Sequence, residues 1–302
     1  MNMLTILDGG LGRELKRLGA PFQQPEWSAL ALMEAPETVT QAHRAFVDAG
    51  ADVITTNAYA VVPFHIGEER FAERGLELAS LAGKLARESV TGQPRSVKVA
   101  GSLPPLFGSY QPELFDAARA PELLAPLVEG QAPYVDVWLA ETLSATEEAK
   151  AVAQALGNDQ RPRWFSFTLQ DADESSQLPC ALRSGETIES AVDTVVAAGG
   201  EALLFNCSQA EVMEEAIRRA RAAVDAKGAE LRLGVYANSF VPQSNRIAAN
   251  SGVSDMRDDL GAEAYAEFAQ CWQAAGATMI GGCCGIGPEH IEALVRIARS
   301  QA

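Results

Sequence analysis

The chain has little basic charge and contains no long apolar run. Its 24 lysine and arginine residues stand against 40 aspartate and glutamate residues, which gives a net charge of −16. This balance argues against a nucleic-acid backbone or an anionic membrane as the main partner. No run of roughly 18 apolar residues occurs, and the N-terminus lacks a basic segment followed by a long apolar one. We therefore expect a cytoplasmic protein with neither a nucleic-acid nor a membrane partner.

No proline-, glycine- or serine-rich linker divides the chain into halves, and short apolar runs alternate with stretches of helical period. The eight candidate strands are LTIL from Leu4, DVITT from Asp52, SVKVAG from Ser96, VDVWLA from Val135, RWFSFTL from Arg163, ALLFN from Ala202, RLGVYA from Arg232 and ATMIGG from Ala277. Buried strands that alternate with helices are typical of a parallel sheet. We therefore predict an α/β fold, a (β/α)8 TIM barrel formed as a single domain by residues 1–302.

Helix faces and helix starts support this alternation. Two sets of residues are spaced to share a helical face: Met213, Ile217, Ala220 and Val224, and then Ile291, Leu294, Val295 and Ala298. Ser144 and Ser208 are each followed three residues later by a glutamate, Glu147 and Glu211, which is the capping-box pattern. Pro288 suits the first turn of a helix. We expect helices to begin at these three places.

Active sites of barrels lie in the loops that follow the carboxyl ends of the strands. The predicted strand ends carry DGG from Asp8, TTNAY from Thr55, ETL from Glu141, NCS from Asn206 and GGCCG from Gly281. Three of the five cysteines, Cys207, Cys283 and Cys284, therefore fall on the predicted catalytic rim. Since only one strand separates strands six and eight in a closed barrel, these thiols can converge.

Three convergent thiolates are a soft and strongly binding zinc site, and a catalytic zinc keeps a fourth position open. The alternative is that Cys207 is a small core residue and that Cys283 and Cys284 form a redox-active disulfide. Cys180, in a polar loop, and Cys271, in a helical stretch, are expected to be bystanders.

The chain has only three histidines, so a histidine-rich metal site is not expected. His43 and His290 fall in predicted helical segments. His65 falls in the loop after the second strand, where it could face the site, but we expect a solvated side chain.

Four segments, DGGLGRELKRLG, ETLSATEEAK, LLFNCS and GGCCGIGPEHIEAL, resemble signature segments of the homocysteine S-methyltransferase family. Members of this family are zinc enzymes on a (β/α)8 barrel that methylate the thiol of homocysteine to give methionine. The resemblance runs from the first strand to the last helix. It implies zinc ligands at Cys207, Cys283 and Cys284, and homocysteine contacts at Asp8, Gly9, Gly10 and Glu141.

The methyl donors of the family are S-methylmethionine, betaine, related sulfonium compounds or methyl groups linked to cobalamin. The chain has no room for cobalamin modules after the barrel and no long C-terminal extension, so we expect a small sulfonium donor, with betaine as the alternative. Trp27 and Tyr59 resemble family positions near the donor, where aromatic faces attract a methylated cation. Either ring could instead be a packed aromatic. The loop after strand seven, up to about Leu260, would shape this pocket.

Other functions stay open at this point. One is a zinc or thiol redox sensor without turnover. Another is a barrel lyase or hydrolase that uses Asp8 and Glu141 as acid and base, and both residues could also be ordinary solvated loop carboxylates. We expect a monomer or a small homo-oligomer.

Overall fold

The computed structural model describes residues 4–171, 180–241 and 257–300, and within these ranges the chain forms eight strands and eleven α-helices. The strands are β1 (Thr5–Ile6), β2 (Val53–Thr55), β3 (Lys98–Leu103), β4 (Val137–Leu143), β5 (Arg163–Phe167), β6 (Ala202–Asn206), β7 (Arg232–Ala237) and β8 (Met279–Gly282). The helices are α1 (Leu11–Arg17), α2 (Ser28–Glu34), α3 (Pro36–Ala49), α4 (Pro63–Ile66), α5 (Glu68–Val90), α6 (Ala120–Gln131), α7 (Thr146–Leu156), α8 (Ile188–Ala197), α9 (Ala210–Lys227), α10 (Ala262–Ala275) and α11 (Pro288–Ser300). None of these helices is both long enough and apolar enough to cross a bilayer.

The eight strands form one parallel sheet in the order β1-β8-β7-β6-β5-β4-β3-β2. A parallel bridge between Leu7 and Val53 joins the first and last strands of this order. At least one helix connects each strand to the next, as parallel neighbours require. The predicted (β/α)8 barrel is therefore confirmed, and each of the eight predicted strands is present.

Apolar side chains fill the barrel and the layer between strands and helices. Inside the barrel, Trp164, Leu204 and Met279 belong to a small buried cluster, and Cys283 lies against it. Outside, the predicted face of α9 is fully buried, as are Ile291 and Leu294 of α11. Because both surfaces of the sheet are covered, β4, β6 and β8 are buried along their whole length, as the continuous apolar runs of the sequence predict.

The capping box predicted at Ser144 is wrong. Helix α7 begins at Thr146, and Glu148 rather than Glu147 reaches back to the free amides. One Glu148 carboxylate oxygen accepts hydrogen bonds from the backbone amides of Ser144, at 2.8 Å, and Ala145, at 3.0 Å. Glu147 points outward and pairs with Lys150. The helix starts later than the serine pattern predicts, so the useful glutamate is also displaced.

The capping box predicted at Ser208 is wrong as well. Helix α9 begins at Ala210 and has no side-chain cap. The Ser208 hydroxyl instead accepts a hydrogen bond from the Leu169 backbone amide at 2.8 Å, and Glu211 forms an ion pair with Arg257. Both side chains therefore bind groups of other segments rather than the free amides at the start of α9. Helix α11 does begin at Pro288, as predicted.

The prediction of a solvated His65 is wrong. The residue lies in the short helix α4 and is 3% exposed. A ring nitrogen, Nδ1, lies 2.9 Å from the Pro25 carbonyl oxygen, and burial lowers the pKa of the imidazole to about 4. Most of the predicted loop after strand seven, residues 242–256, lies outside the described residues.

Candidate active site

The three rim cysteines form one cluster. Cys207 directly follows β6, and Cys283 and Cys284 directly follow β8, so the barrel brings their sulfur atoms to within 4.8 Å of one another. Among the described residues, this is the group of histidine, cysteine and acidic side chains that could hold a metal ion. The other two cysteines, Cys180 and Cys271, lie outside it.

Two of the clustered sulfurs are covalently joined. A disulfide links Cys207 to Cys283, whereas Cys284 is a free thiol. The alternative bond between Cys283 and Cys284 is therefore wrong, since Cys283 pairs with Cys207, which lies two strands away at the end of β6. Burial raises the pKa of the Cys284 thiol, and the positive charge of Arg13 opposes this rise. The half-buried thiol is therefore not activated by its surroundings alone.

The loop after β1 packs tightly on the loop that carries the cysteines. The Gly10 amide donates to the Ile286 carbonyl at 2.9 Å, and the Gly282 amide donates to the Asp8 carbonyl at 2.9 Å. A β-carbon on Gly10 would lie 2.4 Å from the Cys283 carbonyl oxygen, and one on Gly282 would lie 2.1 Å from an Ile286 methyl carbon. Only glycine permits so close an approach. Because the Gly10 amide already donates to Ile286, it is not free for the predicted contact with homocysteine. The Gly9 amide is then the candidate donor of this loop.

Asp8 extends from the end of β1 into the barrel and is 6% exposed. One carboxylate oxygen accepts the Thr55 backbone amide at 2.7 Å and the other accepts the Thr55 hydroxyl at 3.2 Å. Burial raises the pKa of this carboxyl to about 7, the Thr55 hydrogen bonds oppose the shift, and the negative charge of Glu141 adds to it. Asp8 is therefore not a solvated loop carboxylate.

Glu141 lies within β4 rather than after it, because that strand continues to Leu143. The residue is 9% exposed, and burial raises the pKa of its carboxyl to about 7. The Ser102 hydroxyl donates to one carboxylate oxygen at 2.5 Å, and the Tyr236 hydroxyl lies 3.5 Å from the other. The solvated alternative is wrong for Glu141 too.

Asp8 and Glu141 differ from many other acids of the described residues in their lack of a cationic partner there. Within the part of the chain that the structure describes, neither carboxylate takes part in an ion pair. The charge of Glu141 also helps to raise the pKa of Cys284, so the acids lie within electrostatic reach of the thiols. We call the region defined by Asp8, Glu141 and Cys284 the pocket. Buried carboxylates are costly to ionise unless a positive charge compensates them. The pocket is therefore suited to a bound cation.

The two predicted donor aromatics occupy different surroundings. Tyr59 is half-buried, its hydroxyl lies 2.6 Å from the Ser109 hydroxyl, and burial together with the charges of Glu141 and Cys284 raises its pKa. It therefore borders the pocket of acids and thiols. The half-buried Trp27 ring packs edge-on against Phe22, with ring centroids 5.4 Å apart.

Sequence reasoning missed a second tyrosine at this pocket. Tyr110, in the loop after β3, is influenced electrostatically by Tyr59 and Cys284, and burial raises its pKa. The Arg183 guanidinium lies over its ring, 5.2 Å from the centroid. The sequence could have indicated this residue, because the segment GSY follows the third predicted strand and so falls on the rim. Tyr236, whose hydroxyl lies near Glu141, belongs to the apolar strand RLGVYA itself and therefore gave no such signal.

The donor set of the thiol cluster fits a soft metal ion. It consists of cysteine sulfur only, and three thiolates are a known ligand set for zinc that leaves one position open. The disulfide between Cys207 and Cys283 must be reduced before all three sulfurs can act as ligands, because only a thiolate binds the metal.

A (β/α)8 barrel with a cysteine cluster and two buried acids at its carboxyl rim has the features of a barrel enzyme whose active site uses cysteine sulfur. Comparison with known proteins is more specific. The profile of the family described as homocysteine S-methyltransferase matches residues 5–298, and the chain belongs to this family. The predicted family and the predicted enzyme class, a homocysteine S-methyltransferase, are thereby confirmed.

Similar proteins cover nearly the whole chain. Homocysteine S-methyltransferase of Escherichia coli is 32% identical, over 96% of this chain and 94% of its own length. Homocysteine S-methyltransferase YbgG of Bacillus subtilis is 29% identical, over 98% and 95%. Among solved structures, the metallated form of the homocysteine methyltransferase MmuM from Escherichia coli matches with a TM-score of 0.77 at 27% identity, over 98% of this chain and 96% of that one. The oxidised form of MmuM matches with the same TM-score of 0.77.

Proposed function

We propose that this chain transfers a methyl group from a small sulfonium compound, S-methylmethionine in the first place, to the thiol of homocysteine, with zinc bound by Cys207, Cys283 and Cys284. The product is methionine. The observation that carries the proposal is the pair of buried acids, Asp8 and Glu141, which form no ion pair within the described residues, together with a cluster of three sulfur atoms of which Cys284 feels the charge of Glu141.

Homocysteine has the two groups that such a pocket selects. Its ammonium would lie against the Asp8 and Glu141 carboxylates, which favours their ionised forms and removes the cost of burying them. Its thiol is a short carbon chain away from the ammonium and would enter the cysteine cluster. In this orientation, the carboxylate of homocysteine would accept a hydrogen bond from the Gly9 amide.

The cysteine residues have to be reduced in the active form. Zinc held by their three thiolates would keep the homocysteine sulfur deprotonated at neutral pH, where a free thiol is mostly protonated. Oxidation of Cys207 and Cys283 to a disulfide removes two of the three ligands. Metallated and oxidised forms of MmuM have both been solved, which supports these as two states of one site.

The acidic pocket also favours a cationic donor. In the transfer, the homocysteine thiolate attacks the donor methyl carbon, the carbon–sulfur bond of the sulfonium breaks, and its electron pair stays on the departing sulfur. The leaving group is a neutral thioether, which departs more readily than the tertiary amine that betaine would release. Tyr59 lies within electrostatic reach of Glu141 and Cys284, so its aromatic face would lie against the donor cation.

A donor screen tests the proposal. Reduced, zinc-loaded protein is incubated with homocysteine and, separately, with S-methylmethionine, dimethylsulfonium compounds or betaine, and methionine is quantified by mass spectrometry with an isotopically labelled methyl group. We expect labelled methionine with a sulfonium donor and much slower formation from betaine. Faster formation from betaine would overturn the donor assignment alone. Zinc binding without methionine from any donor would instead support a thiol sensor.

A further inference from the structure

Asn206, the last residue of β6, is fully buried directly before Cys207 and binds the backbone of β4. Its Oδ1 accepts the Thr142 backbone amide at 3.0 Å, and its Nδ2 donates to the Thr142 hydroxyl at 2.8 Å. The Ser166 hydroxyl of β5 donates to the same Oδ1 at 2.7 Å. Two donors on Oδ1 fix the orientation of the amide, so this side chain connects three strands.

Thr142 is held in an unusual backbone conformation. Its φ of +62° lies in the left-handed region, where a β-branched residue is a steric outlier. The pairing of β4 with β5 also shifts register between Ala140 and Leu143. Strained residues of this kind persist only where their surroundings hold them. The paired hydrogen bonds from Asn206 supply that support, because they satisfy both the amide and the hydroxyl of Thr142.

The Asn206–Thr142 pair adjoins both halves of the candidate site. Thr142 directly follows Glu141, and Asn206 directly precedes Cys207, which itself has a φ of +48°. Successive side chains of a strand point to opposite faces, so a return of Thr142 to extended geometry would redirect the neighbouring carboxylate. The side-chain amide of Asn206 therefore fixes both the bend in β4 at Thr142 and the end of β6.

We infer that Asn206 is a positioning residue: through its hydrogen bonds to Thr142, it holds the Glu141 carboxylate at the place where the ammonium of homocysteine binds. This inference rests on the proposed function. It assigns neither residue a contact with substrate. A change at Asn206 or Thr142 should therefore lower homocysteine affinity only when Glu141 is present. A general loss of stability would not depend on Glu141.

Isosteric variants test the inference. Thr142→Val keeps the shape of the side chain and removes the hydroxyl, whereas Thr142→Ser keeps the hydroxyl. We expect Thr142→Val to weaken homocysteine binding to the zinc-loaded protein by about tenfold, with the zinc content and the donor KM unchanged. Thr142→Ser should restore binding to within about twofold of wild type. Asn206→Ala should show at least the loss seen in Thr142→Val.

A second background provides the decisive comparison. In Glu141→Ala, we expect Thr142→Val to cause no further loss of homocysteine affinity, because the group that it positions is already absent. Thr278→Val is the matched control. Thr278 lies just before β8, at the end of the barrel opposite the candidate site, and its hydroxyl contacts the Leu233 carbonyl. The variant should bind homocysteine like wild type. All affinities are measured by calorimetry, and thermal melts accompany them.

Two results would overturn the inference. One is normal homocysteine affinity in Thr142→Val, and the other is the same fold-loss in the wild-type and Glu141→Ala backgrounds. Failure of the proposed function looks different, because zinc-loaded wild-type protein would then not bind homocysteine, and the inference would fall with it. A variant with a lowered melting temperature but normal affinity also counts against positioning.

Discussion

Asp8 and Glu141 extend from β1 and β4 into one buried pocket, where the charge of Glu141 helps to raise the pKa of the Asp8 carboxyl. Burial is the larger cause and brings both pKa values to about 7. Two like charges in a buried place oppose each other's ionisation, and a cation between them reverses that effect.

Acceptor binding should depend on Glu141 and on pH. Glu141→Gln should weaken homocysteine binding by roughly 1.5 to 3 kcal/mol, the range for a hydrogen bond to a charged group, with zinc content unchanged. In wild type, affinity should fall as the pH is lowered from 8 to 6, because protonation of carboxyls with pKa values of about 7 removes the negative charge. Calorimetry should give a shallower pH dependence for Glu141→Gln.

Glu148→Gln is the control for this measurement, since Glu148 is another buried carboxyl whose pKa burial raises to about 7 but which caps α7. Its pH dependence of binding should match wild type. Equal slopes in wild type and Glu141→Gln would place the ammonium elsewhere on the rim.

Metal binding should require each clustered cysteine. Purified under reducing conditions, the protein should hold about one zinc ion per chain, because three thiolates form a high-affinity site. Cys207→Ser, Cys283→Ser and Cys284→Ser should each lose zinc and turnover. Cys271→Ser changes an exposed cysteine of α10 and should keep both. Zinc is quantified by mass spectrometry, and its retention in all three cluster variants would refute the metal assignment.

Donor affinity should depend on an aromatic face at Tyr59. Tyr59→Leu should raise the donor KM several-fold, which corresponds to about 0.5 to 2 kcal/mol for a cation–π contact, and should leave homocysteine affinity nearly intact. Tyr59→Phe keeps the ring and should stay close to wild type. Trp27→Leu should behave like Tyr59→Leu if that ring also faces the donor. Steady-state kinetics at saturating homocysteine decide the matter, and an unchanged donor KM in Tyr59→Leu would exclude that residue.

Acid sensitivity should depend on His43. This residue of α3 is fully buried, neither ring nitrogen finds a hydrogen-bond partner among the described residues, and burial lowers its pKa from 6.5 to about 4. The unfolded chain therefore binds the proton more readily than the folded one. His43 contributes stability above pH 6.5, and this contribution is lost as the pH falls from 6.5 through about 4.

The comparison of wild type with His43→Leu isolates this effect. Between pH 7 and pH 4, the wild type should lose up to about 3 kcal/mol of stability relative to the variant, measured by urea unfolding. The buried carboxyls have raised pKa values and act in the opposite direction, but they are common to both proteins and cancel in the difference. Parallel stability curves for the two proteins would show that His43 does not carry the acid sensitivity.

Much of the fold follows from local pattern. Continuous apolar runs alternating with helical faces predicted the eight strands, and the barrel then required that Cys207 meet Cys283 and Cys284 at one rim. The convergence of the thiols was predictable because strand ends are easy to locate. Their role as ligands, and the roles of Asp8, Gly9, Gly10, Glu141, Trp27 and Tyr59, stay predictions.

Tertiary contacts decided the features that the sequence did not predict. The serine–glutamate spacing predicts a helix cap at Ser208, but the hydroxyl binds the Leu169 amide of a neighbouring loop instead. The loop position predicts a solvated His65, but its ring lies against the Pro25 carbonyl oxygen. The left-handed backbone at Thr142 depends on an asparagine that is 64 residues away in sequence. No local pattern encodes such a partner.

The central claim is that three cysteine thiolates hold zinc and present it to the homocysteine sulfur. Zinc-edge X-ray absorption on the reduced, zinc-loaded protein tests it most directly, because the scattering counts sulfur neighbours of the metal. We expect about three sulfur neighbours without substrate and about four once homocysteine is added, with no such rise on addition of methionine. A sulfur count that stays the same when homocysteine binds would contradict the account.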